Sequence, residues 1–481
     1  MKKSVRRVLA LLLTAALLFG CCWSASAATV DTEGKLMRIA SVMNGDTETS
    51  RGISWATEEK TDSIVLVSEN EDMSGAVEYT GSASIFNGYY MHKVVVDHLE
   101  AGKTYYYTVG DSALRSRVCS FTTDPGRGNA ISFLAFADVQ ASSRENFQQA
   151  ASVVKAGYEL FPDVDFSVNL GDYVNDCTND EWNWYFEEFA FLNDSVSMAP
   201  VAGNHEGNLK WFWFDSMFNI GKAEGSASTT GCYYSFDYGD AHIAVLNTND
   251  MYPMSEQQIN WLKNDMNATD ATWKIVMQHR SLYSAGKHTN KPDSAIMRNM
   301  LLPVIDELDI DLVLGGHEHM YLRTYPVSGE GNIDEDCTYI TELVDGVETT
   351  FAVDPAGTVH VMPSTAGTKR YEVNDNALDY ITDAAAKIDT TRDKGGIVTN
   401  ISIDGGKLVY QAYLVDDDTG EVTLYDSFGI QKSTTGAVNE DWEDLPTDAE
   451  SNFAANIRNL FWKLLWLVQF YLTEVLPQLF R

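Results

Sequence analysis

The sequence predicts an N-terminal all-β sandwich, a larger α/β domain after it and an amphipathic helix at the C-terminal end. Residues 32–125 carry β-branched and aromatic runs separated by polar and Gly-containing turns, as all-β domains do. From 130 to 431, apolar runs alternate with polar stretches whose apolar residues recur at helical spacing, which indicates a sheet covered by helices. From 451 to 481, apolar side chains recur on one helical face.

Residues 1–28 are typical of an export signal. A basic start precedes an almost wholly apolar run at 8–19, and "ASA" at 25–27 supplies the small residues that signal peptidase requires. The apolar run is too short to span a bilayer comfortably. We therefore expect a secreted protein, with lipid anchoring at Cys21, in "LFGC", as the alternative.

Composition excludes one class of partner. The formal net charge is −35, with 69 acidic against 34 basic residues, so the chain should repel the backbone of a nucleic-acid polymer. Four cysteines remain after the expected cleavage: Cys119, Cys177, Cys232 and Cys337. They permit disulfides in any of three pairings, and none forms a CxxC pair that would indicate a thiolate zinc site.

Strand-like runs define the N-terminal domain. They are "GISWAT" at 52–57, "SIVLVSE" at 63–69, "HKVVVDHL" at 92–99 and "KTYYYTVG" at 103–110. The last of them resembles the tyrosine-rich strand of fibronectin type III-like sandwiches. "TTDPGRGN" at 122–129 is typical of a linker.

The next domain contains five apolar runs and two clear helical stretches. The runs are "ISFLAF", "DFSVNL", "HIAVLNT", "WKIVM" and "DLVLGG", and the helical stretches are "RENFQQAASVVKAGYELF" and "SEQQINWLKNDM". Strands return from about 357 to 432, and an acidic, turn-rich linker follows at 432–450. The helix at 451–481 either packs on its own protein, self-associates, or lies in a membrane interface, where Trp and Phe are favoured.

Residues of the types that bind metals lie at five strand ends. They are Asp138, Asp172, Asn204, His279, His317 and His319. In an open α/β sheet, loops at the carboxyl ends of strands meet in one crevice, so we expect these side chains to lie together. Oxygen and imidazole donors without thiolate suit zinc, manganese or iron. Two such ions need a bridging carboxylate and can hold a nucleophilic hydroxide between them.

The ordered motifs resemble those of the calcineurin-like metallophosphoesterases. They are "ADVQ", "GDYVND", "GNHE", "VMQH" and "GGHEHMYLRTYP", and the preceding β domain is similar to that of the purple acid phosphatase branch. The similarity covers about 35–430. It implies a four-layer αββα fold, in which a β-sandwich core is covered by helices, and hydrolysis of phosphate esters.

The resemblance also implies a role for each motif residue. Asp172 would bridge two metals, Asn204, His279 and His317 would complete one site, and Asp138 and His319 would serve the other. His205 would protonate the leaving group or bind phosphate, with Glu206 orienting it. His288 would contact substrate, and Arg323 would be structural or neutralise phosphate charge.

Two positions depart from the family pattern. The purple enzymes place a tyrosine three residues after the bridging aspartate, where this chain has Asn175. Other members place a histidine two residues after the first aspartate, where this chain has Gln140. Gln140 or Asn175 would act as an auxiliary ligand through an amide oxygen, or support the site from outside it.

The expected protein is a secreted, dinuclear phosphatase that attacks small phosphate monoesters with metal-bound hydroxide. Two alternatives remain open on the sequence. One is a phosphodiesterase with the same metal centre, and the other is a non-catalytic surface-binding protein with a degenerate site. Peripheral membrane binding or self-association would act through the helix at 451–481.

Overall fold

The computed structural model describes residues 29–206, 211–223, 232–249 and 254–447. The predicted signal segment and the predicted C-terminal helix lie outside these described residues. Within the four described ranges, no helix is long and apolar enough to cross a bilayer.

The N-terminal domain is the predicted β-sandwich. Its strands are β1 Thr29–Val30, β2 Met37–Val42, β3 Arg51–Thr57, β4 Ile64–Ser68, β5 Val77–Thr80, β6 Ser82–Phe86, β7 Tyr89–Val96, β8 Thr104–Gly110, β9 Leu114–Arg115 and β10 Cys119–Thr122. One layer has the order β1-β9-β8-β4-β5 with β10 on β8, and the other contains β2, β3, β7 and β6. Trp55, Tyr107 and Phe121 fill the core between them. The alternation of β4, in which Val65 and Val67 are buried, follows from its period of two.

The second domain continues one of these sheets. Its strands are β11 Ile131–Phe136, β12 Phe166–Asn169, β13 Ser197–Met198, β14 Tyr234–Tyr238, β15 Ala241–Val245, β16 Trp273–Arg280, β17 Leu312–Gly316, β18 Tyr321–Thr324, β19 Val327–Ser328, β20 Asn332–Ile333, β21 Thr338–Val344, β22 Val347–Val353, β23 Val359–Pro363, β24 Ala385–Asp389, β25 Gly395–Asp404, β26 Lys407–Asp416 and β27 Val422–Gln431. Its helices are α1 Arg144–Leu160, α2 Asn179–Glu188, α3 Ala190–Asn193, α4 Trp211–Met217, α5 Glu256–Ala268, α6 Pro292–Glu307 and α7 Asp379–Asp383.

A pairing between β13 and β2 joins the two domains. Met198 lies opposite Val42 in parallel register, so one twelve-stranded sheet runs β21-β22-β27-β26-β25-β11-β12-β13-β2-β3-β7-β6. Without β2, strand β13 would leave unpaired backbone groups at a sheet edge. The linker at 122–129 therefore separates two sequence patterns, while the sheet continues across it.

A second, seven-stranded sheet faces the first across the main core. Its order is β14-β15-β16-β17-β23-β18-β24. In β16, Ile275 and Met277 belong to the core between the sheets, whereas Val276 belongs to the cluster under α5 and α6. On the other side, α1 packs so closely on β25 that a Cβ at Gly157 would lie 2.6 Å from Val398. Two facing sheets with helices outside them confirm the predicted αββα architecture.

The acidic segment predicted as a linker packs against α5. Asn264 and Asn267 on the helix bond to Leu445 and Asn439, and Asn260 donates to the carbonyl of Pro446 at 2.8 Å. These asparagines lie on one face of the helix, because their spacing of four and three residues matches one helical turn. The segment thus runs antiparallel to α5, towards the N-terminal end of that helix.

Candidate metal centre

The predicted ligands lie where parallel strands of the two sheets end. Strands β11, β12 and β13 are parallel neighbours in one sheet, and β16, β17 and β23 are parallel neighbours in the other. Asp138, Asp172, His317 and His319 have φ of 52°, 55°, 79° and 47°. This left-handed conformation is costly for residues with a Cβ and clusters at functional sites. This conformation lets the chain turn sharply at each of these four residues, close to the end of a strand.

Two groups of ligand atoms share one carboxylate. Asp172, His279 and His317 form the first group and Asp138, Asp172 and His319 the second, with the atoms of each group within 4.8 Å of one another. Asn204 belongs beside the first group, because its Oδ1 lies 3.1 Å from Nε2 of His279. The six side chains predicted as ligands are therefore together, divided in the predicted way around Asp172.

Three glycines make this convergence possible. A Cβ on Gly171 would lie 2.6 Å from Nδ1 of His279, and one on Gly316 would lie 2.8 Å from Oδ2 of Asp138. A Cβ on Gly203 would lie 2.1 Å from the backbone nitrogen of Asp172. Each glycine thus stands where a neighbouring ligand loop passes too closely for any side chain.

Two of the imidazoles are oriented by backbone carbonyls. Nδ1 of His279 donates to the carbonyl of Leu170 at 2.8 Å, and Nδ1 of His319 donates to that of Lys369 at 2.5 Å. Their Nε2 atoms face carboxylates, at 3.3 Å from Asp172 and 3.5 Å from Asp138. A proton fixed on Nδ1 leaves the lone pair of Nε2 free for a metal.

The charges of the site call for cations. Asp138 and Asp172 are buried, and burial raises the pKa of Asp138 well above its ordinary range. Burial also acts to raise the pKa of Asp172, but His279 and His205 outweigh it and the pKa is lowered. Conversely, burial lowers the pKa of His319 to about 3, so its ring is a neutral donor. Buried carboxylates and imidazoles without thiolate fit two borderline cations.

Gln140 and Asn175 support His205. Oε1 of Gln140 accepts from Nζ of Lys369 at 2.9 Å, and its Nε2 contacts Nε2 of His205. The side chain of Asn175 donates to Asp176, while its backbone carbonyl accepts from Nδ1 of His205. Of the two roles predicted for these residues, the structure thus favours support over direct ligation.

Glu206 braces a loop, and the prediction that it orients His205 is wrong. Its carboxylate accepts from the backbone N–H groups of Asp172, Gly203 and Val174, at 3.0, 3.2 and 3.2 Å. The ring of His205 is held by Asn175 and Gln140 instead. Burial, reinforced by Asp172, raises the pKa of Glu206 to about 8.

His288 reaches the site, but Arg323 does not. The ring of His288 stacks on that of His317 with centroids 4.5 Å apart, and both oxygens of Glu318 accept from its backbone nitrogen. Arg323 pairs with Asp426 through two bonds of 2.8 and 3.2 Å and does not line the cavity. Of the two roles predicted for Arg323, the structure thus favours the structural one over contact with phosphate.

Several residues that line the cavity escaped prediction. A cavity of about 140 Å³ opens over the ligands. Its lining includes Lys287, Lys291, Lys369 and Tyr371, none of which the motifs indicated. The sequence did contain a signal for Lys369 and Tyr371, because both lie after the end of β23, just as the predicted ligands lie after the ends of their own strands.

The loop after β23 fixes two residues of the second ligand group, Asp138 and His319. The hydroxyl of Thr365 donates to the carbonyl of Asp138 at 2.6 Å. Farther along, the carbonyl of Lys369 accepts from His319, and the nitrogen of Tyr371 donates to the carbonyl of His319 at 3.0 Å. One short segment thus supports a ligand of each sheet.

Family comparisons agree with this geometry. Residues 131–321 match the model of the calcineurin-like phosphoesterases, and residues 37–123 match the purple acid phosphatase N-terminal domain. Acid phosphatase type 7 of Danio rerio is 22% identical over 417 residues, which cover 77% of this chain and 86% of that protein. The Fe(3+)-Zn(2+) purple acid phosphatase 12 of Arabidopsis thaliana is 28% identical over 301 residues, 57% of this chain and 62% of that one.

Solved structures show the same fold. Purple acid phosphatase PPD1 from yellow lupin seeds superposes with a TM-score of 0.68 at 18% identity, over 82% of this chain and 74% of that one. PhoD superposes with a TM-score of 0.62 at 13% identity, over 90% of this chain and 99% of that one. At these identities, the structural likeness establishes the fold alone.

Proposed function

We propose that this chain, which belongs to the calcineurin-like metallophosphoesterases and carries the N-terminal domain of the purple acid phosphatases, hydrolyses small phosphate monoesters with two bound cations. One observation carries the proposal. Two groups of buried ligand atoms share Asp172 beneath a cavity that is lined by basic side chains. Zinc, manganese and iron all suit these donors.

The chain's own residues would hold the reacting groups. Asp138 and His319 would bind one cation, and Asn204, His279 and His317 the other, with Asp172 between them. When bound, two such cations lower the pKa of water and polarise phosphoryl oxygens. His205, held at Nδ1 by the carbonyl of Asn175, would direct Nε2 at the departing alcohol oxygen. His288 would bind a phosphoryl oxygen over His317.

The charge of the cavity favours monoesters over diesters. A monoester carries about two negative charges at neutral pH and a diester one, since the second pKa of a phosphate monoester is about 6. Lys287, Lys291 and Lys369 line a cavity that is small enough to select a terminal phosphate. Aryl monoesters and diesters with the same leaving group separate these activities.

The decisive variant is Asp172→Asn. It keeps the shape of the side chain but removes the shared charge, so we expect loss of both bound metal and hydrolysis. Lys155→Asn, on the exposed face of α1, is the matched surface control. Metal analysis and a screen of mono- and diesters across divalent metals and pH provide the readouts. Normal turnover of aryl phosphates by Asp172→Asn would refute the proposal.

Export and surface association belong to the same proposal. Residues 1–28 would direct secretion, and cell fractionation with N-terminal sequencing tests this; a cytoplasmic protein that keeps its first residues would contradict it.

The amphipathic segment 451–481 would bind membrane interfaces or a second copy of this chain. Sedimentation with vesicles and light scattering, for the full chain and for a chain ending at 447, separate the two, and unchanged behaviour in both assays would exclude them.

A further inference from the structure

We propose that Lys287 and Lys369 form a second anion subsite, which binds another phosphate group of the same substrate beside the one being hydrolysed. The preferred substrates would then carry two adjacent phosphates. This inference rests on the proposed function for its catalytic part. The subsite itself is formed by residues that belong to neither group of predicted metal ligands.

The two ammonium groups lie on one aromatic ring. Nζ of Lys287 lies 5.3 Å and Nζ of Lys369 5.7 Å from the centre of the ring of Tyr371. All three residues line the cavity over the metal ligands. The ring of Tyr371 also packs on that of His319, with centroids 4.7 Å apart. The pair of lysines therefore adjoins the position of the reacting phosphate.

Both lysines retain capacity to bind an anion. Nζ of Lys369 donates one bond, to Oε1 of Gln140 at 2.9 Å, although an ammonium has three donors. Among the residues that the structure describes, neither Lys287 nor Lys369 forms an ion pair with a carboxylate, although the chain carries 69 acidic residues. Donors therefore remain on Lys369 for an anion that binds beside Tyr371.

The loops that carry the lysines are fixed by the "HEH" motif. Glu318 accepts from the backbone of His288, the residue after Lys287, with both carboxylate oxygens at 2.9 and 3.0 Å. His319 donates to the carbonyl of Lys369 and accepts from the nitrogen of Tyr371. Because residues of one motif would bind the metal and also fix both loops, the subsite is preorganised with respect to the metal centre.

The geometry assigns different phosphates to different groups. The cations and His288 would hold the terminal phosphate, while Lys287 and Lys369 would hold the next one along the substrate. A charge-assisted hydrogen bond contributes about tenfold to hundredfold in binding. Loss of either ammonium group should therefore weaken the binding of a substrate with two phosphates by about that factor, relative to the binding of a substrate with one.

Kinetics on a matched substrate pair test the subsite. We expect kcat/KM for ADP, relative to that for AMP, to fall about tenfold or more in Lys287→Met and in Lys369→Met. Lys155→Met removes the same charge from the exposed face of α1 and should leave the ratio unchanged. An unchanged ratio in both cavity variants would overturn the proposal, as would an equal fall in Lys155→Met.

A binding measurement separates the subsite from turnover. α,β-Methylene-ADP resists hydrolysis of its terminal phosphate, and calorimetry compares its affinity with that of AMP for the metal-loaded chain and for each variant. If Lys287→Met and Lys369→Met are the only variants that bind the analogue more weakly, the subsite is supported. This conclusion holds even if no ester is hydrolysed, in which case only the proposed function fails. Equal affinities in wild type and variants refute the subsite whatever the turnover.

Discussion

Replacement of Gly203 by alanine should weaken metal binding although it replaces none of the predicted ligands. A Cβ at this position would lie 2.1 Å from the backbone nitrogen of Asp172, 2.2 Å from its Oδ1 and 2.8 Å from Oε2 of Glu206. Ordinary contact begins at 3.4 Å, so the first of these atoms lies 1.3 Å (3.4 minus 2.1) too close. Rotation of a side chain cannot relieve the clash, because the nearest atom belongs to the backbone.

The cost follows from what must move. Asp172 is tied to Glu206 through its nitrogen and to the nitrogen of His205 through Oδ1, at 3.0 and 2.8 Å. Overpacking in a tight interior costs about 1–3 kcal/mol, and we expect the upper end here. A shift of about 1 Å in a catalytic group lowers the rate about a hundredfold. Since Asp172 belongs to both ligand groups, both cations should bind more weakly.

Metal analysis and urea denaturation measure the two effects separately. Gly75→Ala is the control, since Gly75 has a φ of 73° and no atom lies within 4 Å of the position that an added methyl group would take. That variant should lose about 1 kcal/mol from backbone strain and keep its metal. If Gly203→Ala retains two ions per chain and wild-type stability, the close approach of the two loops is not what positions Asp172.

Three further outcomes are expected. Arg323→Met should destabilise the fold by about 3 kcal/mol, because it removes the cation that pairs with the largely buried carboxylate of Asp426, which then relies on hydrogen bonds from Tyr321 and Ser427. The variant should leave kcat/KM unchanged, and altered kcat/KM at wild-type stability would support a substrate role. Burial opposes protonation of His242, but two flanking carboxylates raise its pKa to about 9. The contribution of protonated His242 to the free energy of unfolding is therefore complete below pH 6.5 and lost as the pH rises through 9. Over that interval the wild type should lose about 1–3 kcal/mol of stability relative to His242→Gln. Parallel curves of stability against pH for the two proteins would contradict this. Iron-loaded protein should show no tyrosinate charge-transfer band, since the hydroxyl of Tyr173 donates to the carbonyl of Asn169; a visible band lost in Tyr173→Phe would contradict the assignment.

Most of the fold could be predicted, because its strands are buried on both faces and read as continuous apolar runs. "ISFLAF" coincides with β11, and "RENFQQAASVVKAGYELF" differs from α1 by one residue. The hairpin of β21 and β22 was missed, since β21 has no buried residue and the apolar run of β22 is only three residues long. The continuation of one sheet across both domains was also missed, because the contact between β13 and β2 involves a single residue pair.

The candidate site divides in the same way. The sequence by itself determined the donor types and their order, since each ligand adjoins a recognisable strand. Only the tertiary structure decided that Gln140 serves Lys369 and His205, that Glu206 braces a loop and that Arg323 belongs to Asp426. Lys369 lies 229 residues from Gln140, and Asp426 lies 103 from Arg323. Such partners depend on where left-handed turns direct each side chain after the sheets have packed, which no local pattern of residues encodes.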